Sequence, residues 1–204
     1  MSPSCLELGA RSEPDARPAS EARGEVNSRL VDVQSLYAAH STMVWRSLRR
    51  LGVSESLVED AVQDVFVVAH RKSREYGGHS APSTWLYGIA LRVAKDYRRA
   101  EARREKRHAR LTEEQATQPT VCEGPADALA KKEANRLLHA LLDRLPPDQR
   151  ETLVLVDLEG LSVAEVAPLI GLRLRTCQRR LKAARASFEA ALAAHSIALH
   201  GGNR

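Results

Sequence analysis

The stretch GLSVAEVAPLIGLRLRTCQRRLKAAR, residues 160–185, opens as an apolar helix and closes in arginines and lysines without one acid. Ser162 and Glu165 have the S-x-x-E spacing of a capping box, so a short helix is expected to start there. Gly171 stops it, and a second helix follows at once. On that second helix Leu174, Cys177, Leu181, Ala184 and Phe188 recur every third or fourth residue and form one apolar stripe. Arg175, Gln178, Arg179 and Lys182 project from the opposite side. Two helices around a tight glycine turn, the second one basic, make the helix-turn-helix pattern. Its long side chains can reach base edges, Arg pairing bidentately with guanine and Gln with adenine. A wet basic face on an ordinary amphipathic helix would need no glycine turn here. Cys177, inside the stripe, reads as a small buried hydrophobe rather than a redox sensor.

Working outward, the same helical grammar covers most of the 204 residues. Upstream, a helix carrying Leu129, Leu137, Leu138 and Leu141 ends at LPPD, where Pro147 suits the first turn of the next helix. Gly160 ends that one. Before them, LTEEQATQPTVCEGPAD has four acids, two prolines and no basic residue, and reads as a flexible linker over 111–125. Earlier still, a helix from Asn27 or Ser28 is expected to present Leu30, Val33, Tyr37, Val44, Leu48 and Leu51 on one face and to stop at Gly52. A second opens at Ser56–Glu59, another capping box, and turns Leu57, Ala61, Val62, Val65, Phe66 and Ala69 inward. A loop with Gly77, Gly78 and Pro82 leads into a third, from about Ser83 to the arginines near 104. It carries Leu86, Ile89, Ala90, Val93 and Tyr97 on one side.

The expected fold is therefore all-α: a helical domain over 28–110 and a helix-turn-helix domain over 126–195, joined by the flexible linker. Residues 1–27 and 196–204 are expected to be tails. An aromatic share of only 4% leaves Leu, Val and Ala to build the cores, which favours helices over a β-sandwich. Three cysteines without paired spacing argue against a disulfide framework or a zinc site and fit a reducing cytoplasm. No apolar run is long enough to span a membrane, so no membrane insertion is expected. No cofactor is called for.

Net charge is +5, and its excess is concentrated: residues 92–110 hold nine basic residues against three acids, and residues 171–185 hold six against none. Such patches suit phosphate. Beside the first lie Tyr76, Trp85, Tyr87 and Tyr97, half of the eight aromatics. Bases of single-stranded nucleic acid stack on such rings for about 1–3 kcal/mol each. Opening ten base pairs takes roughly 14 kcal/mol, so a strand-capturing domain needs a larger machine beside it. The stretch VEDAVQDVFVVAHR gathers Glu59, Asp60 and Asp64 with Gln63 and a run of apolar residues. Nothing else in the chain converges on these acids, so a docking face for a basic partner is favoured over catalysis or a metal site, and no enzymatic activity is expected.

In order and spacing, EDAVQDVFVVAHR, STWLYGIALRVAKDYRR, RLPPDQRETLVLVDLEGLSVAEVAPLIG and the basic last helix resemble the extracytoplasmic-function (ECF) sigma factors, small bacterial sigma subunits of RNA polymerase. The resemblance spans about residues 30–195. It implies that Asp60, Gln63, Asp64 and Phe66 dock on core polymerase, whose β′ clamp and β subunit are the expected partners. It implies that Gly78, His79, Ser80, Pro82, Ser83, Trp85, Arg92 and Asp96 lie near the separated bases of the −10 promoter element, with Arg98 and Arg99 near phosphates. It assigns Arg173, Arg175, Thr176, Gln178, Arg179 and Lys182 to the −35 element as duplex. An anti-sigma factor is a further expected partner. Arg92, Pro82 and Ser83 depart from common family residues, as do Pro168 inside a helix and the Arg173–Leu174–Arg175 entry. A free-standing helix-turn-helix regulator, binding duplex DNA without polymerase, is the alternative.

Overall fold

The computed structural model describes residues 32–78, 80–108 and 126–201. Their regular structure is all helical: α1 (Val33–Arg50), α2 (Val58–Lys72), α3 (Pro82–His108), α4 (Ala126–Asp143), α5 (Pro147–Leu153), α6 (Val163–Leu169) and α7 (Leu174–Gly201). A single π-helical turn, Val154–Leu158, continues α5. The expected 1–27 tail, the 111–125 linker, Leu30, His79 and the side chain of Leu129 lie outside the described residues.

Helices α1, α2 and α3 form a bundle around Val44, Leu48, Leu51, Val58, Val65, Leu86 and Leu91, all fully buried. Two expectations at its entry points are corrected. The first helix starts at Val33, because Asp32 is extended and its carboxylate accepts from the backbone N–H of Gln34 (3.0 Å) and Ser35 (3.2 Å). The Ser56–Glu59 capping box does not form. Leu57 occupies the N-cap of α2, and Glu59 accepts instead from the indole N–H of Trp45 on α1, at 2.9 Å. Tyr37, expected inside, is 49% exposed and sits edge-on against Phe66. Gly52 ends α1 as expected, at φ +97°.

In the second domain Leu142, Val154, Leu155, Val166, Cys177 and Ala184 are fully buried. The Ser162–Glu165 capping box forms in both directions, with Ser162 N–H donating to Glu165 at 2.9 Å. Pro168 lies inside α6 without ending it. The donor it lacks would have served Ala164, which is exposed, so water can take its place. Helix α7 runs past the expected boundary at 195 to Gly201. The π turn was not foreseen. There the Glu159 N–H reaches back five residues to the Val154 carbonyl, at 2.9 Å.

The two domains, expected to be merely tethered, pack against each other. Gly88 on α3 lies so close to α6 that a Cβ there would meet Leu169 at 3.0 Å. Arg150 of α5, 6% exposed, donates to the carbonyl of Arg50 at the end of α1 and pairs with Asp143. Glu159 accepts from Arg50 (3.1 Å) and from the Tyr87 hydroxyl (2.9 Å). Burial, reinforced by the Glu159 carboxylate, raises the pKa of Tyr87 above its ordinary value.

Candidate nucleic-acid interface

Gly171, at φ +70°, provides the left-handed turn between α6 and α7. From there α7 is anchored by Cys177, Leu181 and Ala184, which are buried. Burial pushes the Cys177 thiol pKa up, which disfavours the reactive thiolate. Leu174, expected in this stripe, is 48% exposed: it is the first residue of the helix, beyond the reach of the packed face. Phe188 is half-buried at the other end.

The basic residues of this segment divide into two groups. Arg180 pairs with Asp148 at 3.2 Å, and Arg185 grips Asp157 with two bonds of 2.9 and 2.6 Å. These two arginines hold α7 to α5 and the π turn. Arg173, Arg175, Gln178, Arg179 and Lys182 are exposed, and none of the four cations among them pairs with an acid among the described residues. Thr176 is half-buried beside them. The helical period sets Arg180 apart from the stripe of 175, 178, 179 and 182, whereas Arg185, one turn beyond 182 and close to the same side, is distinguished by its pairing with Asp157.

A second surface lies on α3 and the loop before it. Tyr76 and Trp85 stack with ring centroids 4.7 Å apart, and the Tyr76 hydroxyl donates to the Ser80 carbonyl, which ties the loop across its tip. Gly78 (φ +70°), Ser80 and Pro82 are exposed and Ser83 is half-buried. Trp85, Arg92, Asp96 and Arg99 follow at helical spacing, the last three exposed. The other aromatics of the sequence cluster are elsewhere: Tyr87 is buried against Glu159, and the Tyr97 hydroxyl donates to Asp64 on α2 at 2.8 Å. Burial and that carboxylate push the Tyr97 pKa up to about 12. Arg98 also points away from this surface. Its guanidinium donates to Glu151 of the second domain at 2.6 Å, beside Lys95, which reaches the other oxygen of the same carboxylate at 2.9 Å.

On α2, Asp60, Gln63 and Asp64 are exposed on one stripe, whereas Phe66 is 6% exposed and belongs to the core. This corrects its expected place on a docking surface. The apolar residue that continues the stripe is Val67, 45% exposed. Counting turns would have found it, since 60, 63, 64 and 67 share a face and 62, 65, 66 and 69 share the buried one. Among the described residues, no group of three or more His, Cys, Asp and Glu side chains stands close enough to hold a metal, and no helix is long and apolar enough to cross a membrane.

Two family descriptions match this chain: Sigma-70 region 2 over residues 36–104 and Sigma-70 region 4 over residues 135–188. The ECF RNA polymerase sigma-E factor of Haemophilus influenzae is 31% identical over 142 residues, 67% of this chain and 75% of that protein. The ECF RNA polymerase sigma factor SigE of Mycolicibacterium smegmatis is 29% identical over 187 residues, 90% of this chain and 70% of the relative. Among solved structures, CnrH in complex with the cytosolic domain of CnrY matches with a TM-score of 0.58 and 26% identity, over 79% of this chain and 88% of that one. The sigma factor RpoE of Bartonella quintana, crystallised with the anti-sigma factor NepR, matches with a TM-score of 0.62 over 79% of this chain and 96% of that one. At 21% identity that match speaks for the fold.

Proposed function

This chain belongs to the ECF RNA polymerase sigma factors and directs transcription as an alternative sigma factor, and from that premise we propose which surface does what. The α7 stripe of Arg175, Gln178, Arg179 and Lys182, with Arg173 and Thr176 at its entry, reads the −35 element as duplex in the major groove. The Tyr76–Trp85 pair, the loop Gly78–Ser83 and Arg92, Asp96 and Arg99 on α3 receive the separated −10 strand, bases on the rings and phosphates on the cations. Asp60, Gln63 and Asp64, with Val67 in place of Phe66, dock on core polymerase, which shares the work of strand separation. The protein is a regulatory subunit with no catalytic step of its own. It works in the cytoplasm beside polymerase and promoter DNA, under an anti-sigma factor that covers both domains.

One observation carries this reading. Within a single basic segment, the cations that face α5 and the π turn are paired with acids, and those that face outward are left unpaired. A helix kept soluble by charge alone would need no such sorting. Transcription in vitro with bacterial core polymerase on a promoter library tests it: run-off products are expected only when the chain is present. Promoter-specific duplex binding of equal strength with and without core polymerase, and no run-off, would favour the free-standing regulator.

A further inference from the structure

The acid that joins the two domains is held by two cations of α3. Lys95 and Arg98 lie one turn apart on α3, and their cations converge on the two oxygens of Glu151, at 2.9 and 2.6 Å. The Glu151 side chain is 3% exposed, whereas Lys95 and Arg98 keep 33% and 20% of theirs. Arg98 uses this acid incompletely: its Nε–H is buried with no hydrogen-bond partner among the described residues. A guanidinium fork is fully used by an oxyanion that takes two of its donors at once, as phosphate does. Arg92 and Arg99 lie on the adjoining stripe of the same helix, so the pair extends the cationic track of α3.

We propose that Lys95 and Arg98 form a phosphate site for single-stranded DNA, and that Glu151 occupies it as an internal substitute while the two domains are packed together. The inference rests on the assignment of α3 to the −10 strand and adds Lys95 to it. Closed and strand-bound forms then exclude each other. Beside its apolar contacts, the interface carries charged ones that suit a reversible role. Glu151 on Lys95 and Arg98, Glu159 on Arg50 and Tyr87, and Arg150 on the Arg50 carbonyl can all be solvated when the domains part. Buried pairs of this kind add little net stability yet fix one arrangement. A chain whose competent form is a minor fraction binds with an affinity reduced by that fraction.

The test uses the full chain, a mixed-sequence single-stranded DNA of about 15 nucleotides, fluorescence anisotropy for affinity and small-angle scattering for domain separation. Glu151→Gln is expected to enlarge the radius of gyration and tighten strand binding about tenfold, as when a closed form holding about nine-tenths of the molecules is released. Adding Arg98→Ala to Glu151→Gln is expected to abolish the gain. Glu159→Gln, which loosens the same interface and leaves Glu151 in place, is expected to tighten binding in the same direction. A larger radius without tighter binding overturns the proposal, as does a gain that survives Arg98→Ala, or no gain in either Gln variant. Core-dependent transcription by the unaltered chain is scored separately: its loss would sink the sigma assignment, and its persistence without a strand-binding gain would sink only the internal substitute.

Discussion

Arg150 of the second domain donates its Nε–H to the backbone carbonyl of Arg50 in the first, at 2.6 Å, one hundred residues earlier in the chain. The guanidinium is buried, and it also pairs with Asp143 and approaches the Arg49 carbonyl at 3.4 Å. It serves as the C-terminal cap of a helix to which it is not covalently close. Gly52 makes room for it, since a Cβ there would stand 3.0 Å from the guanidinium.

Arg150→Ala is accordingly expected to destabilise the full chain by about 2–3 kcal/mol, the range for losing hydrogen bonds to a buried charged donor. Urea unfolding followed by circular dichroism measures it. A change within about 0.5 kcal/mol, typical of a surface substitution, would contradict the capping role.

His139, half-buried beside Arg49, Arg150 and Arg50, gives the same region an acid sensitivity. Burial first, then the neighbouring guanidinium groups, hold its pKa below the ordinary 6.5, against the opposing pull of Asp143. The folded state therefore favours the neutral ring. Its contribution is fully present above 6.5 and is lost as pH falls toward the depressed folded value. His139→Gln is expected to shrink the drop in thermal midpoint between about pH 7.5 and about pH 5. An unchanged drop would assign the acid sensitivity to other groups.

On α7 the sorting of arginines predicts opposite phenotypes for neighbours. Arg179→Ala is expected to weaken duplex promoter binding by about 1–3 kcal/mol and to relax base preference at one −35 position. Arg185→Ala breaks its bond to Asp157, changes stability little because the pair is solvent-screened, and leaves base preference intact. Binding to a library of −35 variants reads both. A uniform loss across all sequences for Arg179→Ala would mean phosphate contact only.

On α2 the corrected stripe separates folding from docking. Phe66→Ala is expected to cost about 3–5 kcal/mol in unfolding experiments, as for other buried phenylalanines. Val67→Ala is expected to leave stability nearly unchanged and, like Asp64→Ala, to weaken association with core polymerase in a pull-down. Wild-type association by both variants would remove the α2 face from the docking assignment.

Ser162–Glu165, Gly171, Gly52 and Pro147 were readable in the sequence because each acts over one turn of chain: a cap, a positive φ or a missing donor needs no distant partner. The same local rule failed at Ser56–Glu59, where an indole fourteen residues away took the carboxylate. Tyr87 and Tyr97 stand near Tyr76 and Trp85 in sequence, but the fold sends their hydroxyls to Glu159 and Asp64 on other elements.

The amino-acid order alone determined that this chain is helical, which turns of α7 face outward, and that its two basic segments suit DNA, since periodicity and charge belong to the chain wherever it folds. Only the packing decided that Arg98 meets Glu151 and that Arg150 closes α1. Those outcomes depend on which surfaces approach across 53 or 100 residues. A carboxylate takes whichever cation the fold brings within about 3 Å, and nothing in its own neighbourhood of sequence names that partner.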